Sequence, residues 1–231
     1  HAFSVGVEGG EPVNLTVGTG LELPRSAVQL ESPLYDLSPD GKELAFVADS
    51  NPASNVTNLD VYTVAVGDKA AVNRTTANLA NDGVPLYSPD GRWLAFGQQR
   101  IKGFYGDIRR LMLLDRRSGA VREVTGEAWD RSADGLVWAP DSKRLYGTID
   151  DAGSVRVYEI PLAGEPRPIT GAESFSSLAI SGQGGVLVGL RQTFIEPPTV
   201  VRIEPKSRKV TRLSRLNDEL LAGTALGTYE S

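Results

Sequence analysis

Ser88-Pro89-Asp90-Gly91-Arg92-Trp93-Leu94-Ala95-Phe96 is the stretch that decides the fold. Its first half is a turn. Ser at the first position, Pro at the second and Gly at the fourth suit a type I turn, because Pro89 pre-sets φ and Gly91 accepts a positive φ. Such a turn followed by a left-handed residue commonly closes a β-hairpin. The second half, from Trp93 to Phe96, is bulky and suits a buried strand.

The stretch recurs. Ser38-Pro39-Asp40-Gly41-Lys42-Glu43-Leu44-Ala45-Phe46 is a near copy, and Ala139-Pro140-Asp141-Ser142-Lys143-Arg144-Leu145-Tyr146-Gly147 is a weaker one. Ser181-Gly182-Gln183-Gly184-Gly185-Val186-Leu187-Val188-Gly189 keeps the outline. The copies start 50, 51 and 42 residues apart, a period that reads as propeller blades or a solenoid. Short apolar runs separated by Gly, Pro, Asp and Ser turns supply four strands to each repeat, which favours the propeller. The expected fold class is therefore all-β, a β-propeller of four-stranded blades, and apparently a partial one: four full blades plus an N-terminal hairpin. Residues 1–17 are expected to form the C-terminal hairpin of an incomplete blade. Residues 18–213 carry the blades, at about 33–75, 84–125, 135–170 and 175–213, and 214–231 form a tail. Ala225 to Tyr229 is a candidate further strand, and Asn217 to Ala222 the one plausible turn of helix. Trp93, Leu94, Phe96, Leu44, Phe46, Leu145 and Val186 are the expected core.

Composition narrows the function classes. The chain of 231 residues has a net charge of −5, which argues against a nucleic-acid partner. No apolar run approaches the roughly 18 residues of a membrane span, so no membrane association is expected. With no cysteine, disulfides and thiolate metal sites are excluded, while the compartment, cytoplasmic or periplasmic and secreted, stays open. The only histidine is His1, so a Ser-His-Asp triad lacks an anchored base, and no G-x-S-x-G elbow is present. No metal or other cofactor is expected. Gly182 to Gly185 fails the G-x-G-x-x-G pattern because Leu187 stands where the last Gly belongs. The carboxylate pairs Asp150-Asp151 and Glu31/Asp36 read as solvated turn residues.

Two segments invite a binding role. Phe104 and Tyr105, with Lys102, Arg109 and Arg110 nearby, lie on the long connection from Gln99 to Asp107. The bland alternative is a loop packing its own aromatics. Phe194-Ile195-Glu196-Pro197-Pro198 is stiffened by its prolines, and Arg191 lies close upstream. An Arg and a Glu at one mouth suit a peptide terminus through charge-assisted hydrogen bonds, and an incidental salt bridge is the alternative.

The order of these pieces resembles the propeller domain of the prolyl oligopeptidase family of serine peptidases, in the branch of acylaminoacyl and dipeptidyl peptidases. The resemblance is carried by Gly103-Phe104-Tyr105-Gly106-Asp107, Arg110 to Arg116, Trp129-Asp130-Arg131-Ser132, Trp138 to Ser142, Glu196-Pro197-Pro198 and Leu216-Asn217. It implies a non-catalytic, substrate-gating propeller segment that serves short peptides, with the α/β-hydrolase catalytic domain of the same polypeptide as partner. On this reading Arg191, Glu196, Phe104 and Tyr105 are the substrate-binding candidates, and no catalytic residue lies in the chain. A free-standing TolB-like propeller that binds a protein partner is the alternative, and a metal-dependent propeller enzyme is disfavoured by the dearth of histidine. Peptide specificity and homo-oligomerisation stay open.

Overall fold

The computed structural model describes residues 1–21, 23, 34–182, 185–224 and 227. Its strands form four four-stranded antiparallel sheets and a two-stranded hairpin. The hairpin pairs β1 (Phe3–Ser4) with β2 (Val13–Asn14), shorter than the alternation in sequence suggests. The first sheet runs β3 (Tyr35–Leu37), β4 (Glu43–Asp49), β5 (Leu59–Ala65) and β6 (Val72–Asn73), in chain order. The second holds β7 (Asp82–Tyr87), β8 (Trp93–Gln98), β9 (Arg110–Asp115) and β10 (Val121–Glu123). The third holds β11 (Asp134–Trp138), β12 (Arg144–Asp151), β13 (Ser154–Pro161) and β14 (Arg167–Pro168). The fourth holds β15 (Ser174–Ile180), β16 (Leu187–Gln192), β17 (Thr199–Glu204) and β18 (Lys209–Arg212). This up-and-down order with hairpin links is that of propeller blades. One turn of helix, α1 (Asp218–Leu221), follows, with Asn217 at its N-cap.

The repeated turns form as their residues dictate. Gly41 N–H donates to Ser38 O at 2.8 Å and Gly91 N–H to Ser88 O at 2.8 Å. The Ser38 hydroxyl donates to Asp40 Oδ1 at 2.7 Å and accepts the Glu43 N–H at 2.9 Å. Ser88 repeats both bonds with Asp90 and Trp93. Each Ser-x-Asp pair thus satisfies the backbone between the two strands it joins. Gly41 and Gly91 sit at φ 69° and 68°, and Ser142, which takes the same place in the third copy, is held at 56°.

Residues 1–126 and 127–231 form two compact units. In the first, Leu44, Phe46 and Ala48 point to one face of β4 and pack with Ala2, Tyr62 and Val64, joined by Leu15, Leu21, Leu23 and Ala71. Ala45, on the opposite face, packs with Val61 and with Tyr87, Leu94, Phe96, Met112 and Leu114 of the second sheet. Period-two alternation therefore serves two packing faces at once. In the second unit Ala139, Tyr146, Val157 and Ile169 pack on Phe175, Leu187, Val201 and Ile203.

The expected core is right at Leu44, Phe46, Leu94, Phe96 and Leu145, all fully buried. It is wrong at Trp93 and Val186, which are half-buried. Both begin or precede a second strand at the place Glu43 and Arg144 occupy, at the edge of the core. Trp93 lies instead under the Arg92 and Arg122 guanidiniums, at 4.4 and 5.7 Å. In the fourth copy the fully buried residue is Leu187, one position on. Asp151 is a structural group rather than a solvated turn residue. It accepts the Tyr158 hydroxyl at 2.6 Å and pairs with Arg156 and Arg131, and these bonds, the tyrosine first, hold its pKa below the usual carboxylate range. Glu31 and the candidate strand at Ala225 to Tyr229 fall on or among residues outside those described.

Two repeated devices escaped the sequence reading. The first strand of three sheets carries a bulge, with Val84, Gly135 and Ser177 at φ 54°, 54° and 52°. Opposite them on the second strand stand Phe96, Gly147 and Gly189, so a glycine faces the bulge in the third and fourth sheets. A Cβ on Gly147 would meet Asp134 O at 2.9 Å, and one on Gly189 would meet Ser176 O at 3.1 Å. The second device is a hydroxyl just after the fourth strand. Thr75, Thr170 and Ser214 each accept, at 3.0 Å, an N–H from the first half of the third strand, from Val61, Val157 and Val200.

Candidate functional site

In each sheet the connection between second and third strands lies at the opposite end from the turn joining first and second, as antiparallel pairing requires, and in the first unit it is long. The first unit's two such connections are 50–58 and 99–109. Asp107 shapes the latter. Its carboxylate accepts the Arg100 and Ile101 N–H groups at 2.6 and 3.1 Å and the Arg110 guanidinium at 3.3 Å. Burial works against the charge, but these donors prevail and hold the Asp107 pKa low. The Gln99 side-chain amide donates to Tyr105 O and Asp107 O at 3.0 and 2.8 Å, closing the loop from within.

Phe104 and Tyr105 are presented outward, 54% and 48% exposed. They do not form a packed aromatic nucleus. Tyr105 Oη lies 3.2 Å from Thr57 Oγ1, and Gly103 approaches Val56, so the two long connections of this unit brace each other. Arg110 is committed to Asp107 and Lys102 is exposed, so the basic cluster expected around the aromatics is only partly free.

Arg191 and Glu196 belong to the second unit. Arg191 stands near the end of β16, and Glu196 on the connection to β17. Thr193 folds that connection: its hydroxyl accepts the Glu196 N–H at 3.0 Å, and its own N–H donates to Glu196 O at 3.0 Å. The Glu196 carboxylate meets Arg191 Nη2 at 2.5 Å and Arg212 Nε at 3.8 Å. Arg191 also reaches Glu173 at 3.3 Å, and Arg212 pairs with Asp218 on α1. Three carboxylates thus face two guanidiniums, which leaves one negative charge in excess. Arg191 Nε is buried without a partner. Phe194 projects beside this cluster, 83% exposed. Between the connection and α1 lies a cavity of about 210 Å³ lined by Glu196, Pro197, Arg212 and Asp218 among others.

The structure therefore brings Arg191 and Glu196 into contact, as their spacing suggests, and sets Phe104 beside Tyr105. The two pairs lie in different units. Glu173, Arg212 and Asp218 were missed: they come from the turn before β15, from β18 and from the tail, and no local pattern ties them to Glu196. His1 lies 3.3 Å from Thr16 Oγ1, away from both clusters in sequence. Among the described residues no group of three His, Cys, Asp or Glu is placed to hold a metal ion. Among them, too, no helix is long and apolar enough to cross a membrane.

No family model matches the chain. Dipeptidyl-peptidase 5 of Porphyromonas gingivalis is 27% identical over 192 residues, covering 81% of this chain and 28% of that protein. The chain thus matches less than a third of that relative's length. Among solved structures, the acylaminoacyl peptidase of Pyrococcus horikoshii is similar with a TM-score of 0.64 at 16% identity, over 85% of this chain and 29% of its own. TolB of Acinetobacter baumannii is similar with a TM-score of 0.56 at 19% identity, over 77% and 41%. At such identities these two likenesses speak to the fold alone. In the order of its sequence pieces and in the fold of its sheets, the chain resembles the β-propeller domain of the prolyl oligopeptidase family of serine peptidases.

Proposed function

We propose that this chain is a non-catalytic, substrate-gating propeller segment of a serine peptidase that acts on short peptides, with dipeptidyl or acylaminoacyl specificity. The observation that carries it is the sequence match to a dipeptidyl peptidase along 81% of the chain. The chemistry of the two clusters supports it. The acid-rich group around Glu196 suits the ammonium of a peptide N-terminus, because its excess negative charge is held in place by two arginines. The exposed rings of Phe104 and Tyr105 offer apolar faces for a side chain. The acyl-transfer groups would come from an α/β-hydrolase domain of the same polypeptide. A TolB-like protein-binding role is the second reading, favoured by the structural likeness to TolB.

The test is to assay the intact gene product and residues 1–231 alone with dipeptidyl and acylaminoacyl amides. The intact product is expected to turn them over and the isolated chain to be inert. An intact product that lacks peptidase activity would favour the TolB-like reading. Turnover by the isolated chain that survives removal of His1 would overturn the non-catalytic assignment.

A further inference from the structure

The two units carry the same inter-sheet cleft with opposite charges at the residue that opens the second strand. In strand register Glu43 opens β4 and Arg144 opens β12, each facing the next sheet's far turn. The next sheet presents Arg116, one residue past β9, in the first unit and Pro205, one past β17, in the second. In the first unit Arg116 fills the gap. Its guanidinium meets Glu43 at 3.0 Å, donates to Gly91 O, and stacks 4.8 Å above Tyr87. The residual cavity is about 260 Å³.

In the second unit proline cannot reach across and an arginine replaces the acid. The cleft stays open at about 630 Å³, within the roughly 300–1,000 Å³ of ligand-binding pockets. Ala139, Tyr146, Ile180 and Val186 give it an apolar floor. At the rim Arg144 pairs with Asp141 at 3.0 Å and Glu159 at 2.9 Å, Arg167 with Glu159 at 2.9 Å, and Arg202 with Glu204 at 3.4 Å. Three acids are thus matched by three arginines. Lys206, also on the rim and exposed, makes no ion pair among the described residues. The rim keeps one positive charge on a chain whose net charge is −5.

We propose that this cleft is a docking site for an acidic segment of a partner protein, in which an apolar side chain enters between the sheets and a neighbouring carboxylate meets Lys206. Arg116 shows the mode within this same chain: a side chain enters the gap and finds the opposite charge waiting. The cleft lies at the turn end of the strands, opposite the 193–198 connection, so this role is separate from the peptide site around Glu196.

Fluorescence anisotropy on the full chain at low ionic strength tests it, with a labelled peptide of alternating leucine and glutamate and its leucine-glutamine counterpart. The glutamate peptide is expected to bind at least about tenfold more tightly, and to weaken by a similar factor in Lys206→Glu. Arg117→Glu, at the corresponding place in the first unit, should leave binding unchanged. Both substitutions are at the surface, and circular dichroism confirms that the variants fold. Equal binding of the two peptides, indifference to Lys206→Glu, or no binding up to about 1 mM would overturn the proposal. Competition by free glutamate as potent as by the peptide would replace the protein segment with a small carboxylate and overturn it equally.

Discussion

Asp82 is buried, and among the described residues no cation offsets its charge. It accepts the side-chain amides of Gln98 at 3.0 Å and Asn78 at 3.1 Å, while Asp60, also buried, is held by Asn73 and Thr75. Burial, partly offset by these hydrogen bonds, pushes the Asp82 pKa up to about 7. A carboxyl whose folded pKa is raised binds a proton more tightly when folded. Its contribution is therefore present in full below about pH 4, the unfolded value, and is lost as pH rises toward 7. The loss is on the order of 3–4 kcal/mol. Thermal melts across that window should show Asp82→Asn with a flatter pH dependence than the parent. Parallel curves would mean that Asp82 is ionised in the fold throughout. None of this was legible in sequence, where Asp82 stands in an unremarkable Asn-Asp-Gly turn pattern. Arg191 and Glu196 were legible as a pair, because five residues across a stiff turn bring them together. The acids and the arginine that complete their cluster arrive from elsewhere in the chain, Glu173 just before β15, Arg212 on β18 and Asp218 on α1.

At the scale of the element, the Ser-x-Asp-Gly turns and the strands after them were readable, since hydroxyl, carboxylate and glycine are chemically required there. Phe96, second of the inward residues after its turn, is fully buried. Phe96→Ala should cost about 3–5 kcal/mol in denaturant unfolding, and a loss under about 0.5 kcal/mol would contradict its place in the core. The bulges were not readable, because the residue held at positive φ is Val in one sheet, Gly in the next and Ser in the last. Geometry is conserved among the sheets there while chemistry is not. The trace they leave in the third and fourth sheets is the glycine facing them, Gly147 and Gly189. Gly147→Ala places a methyl against Asp134 O and Leu136, and should destabilise the chain by about 1–3 kcal/mol. An unchanged unfolding midpoint would show that the third sheet can spread to admit it. Trp93 was misplaced for the opposite reason: its bulk suggests burial, but its position faces the rim, where cation–π contacts use the same ring.

For the whole molecule, the repeat period settled the fold class, and the match to a peptidase propeller supplies the functional reading. The central claim is that this propeller segment selects peptides rather than performing chemistry. It is tested most directly by kcat/KM in the intact gene product, with a dipeptidyl amide and a small ester compared side by side. Glu196→Ala and Arg191→Ala should lower kcat/KM for the peptide about tenfold or more, the scale of a lost charge-assisted contact, while the ester is spared. Equal losses on both substrates, or none on the peptide, would contradict it.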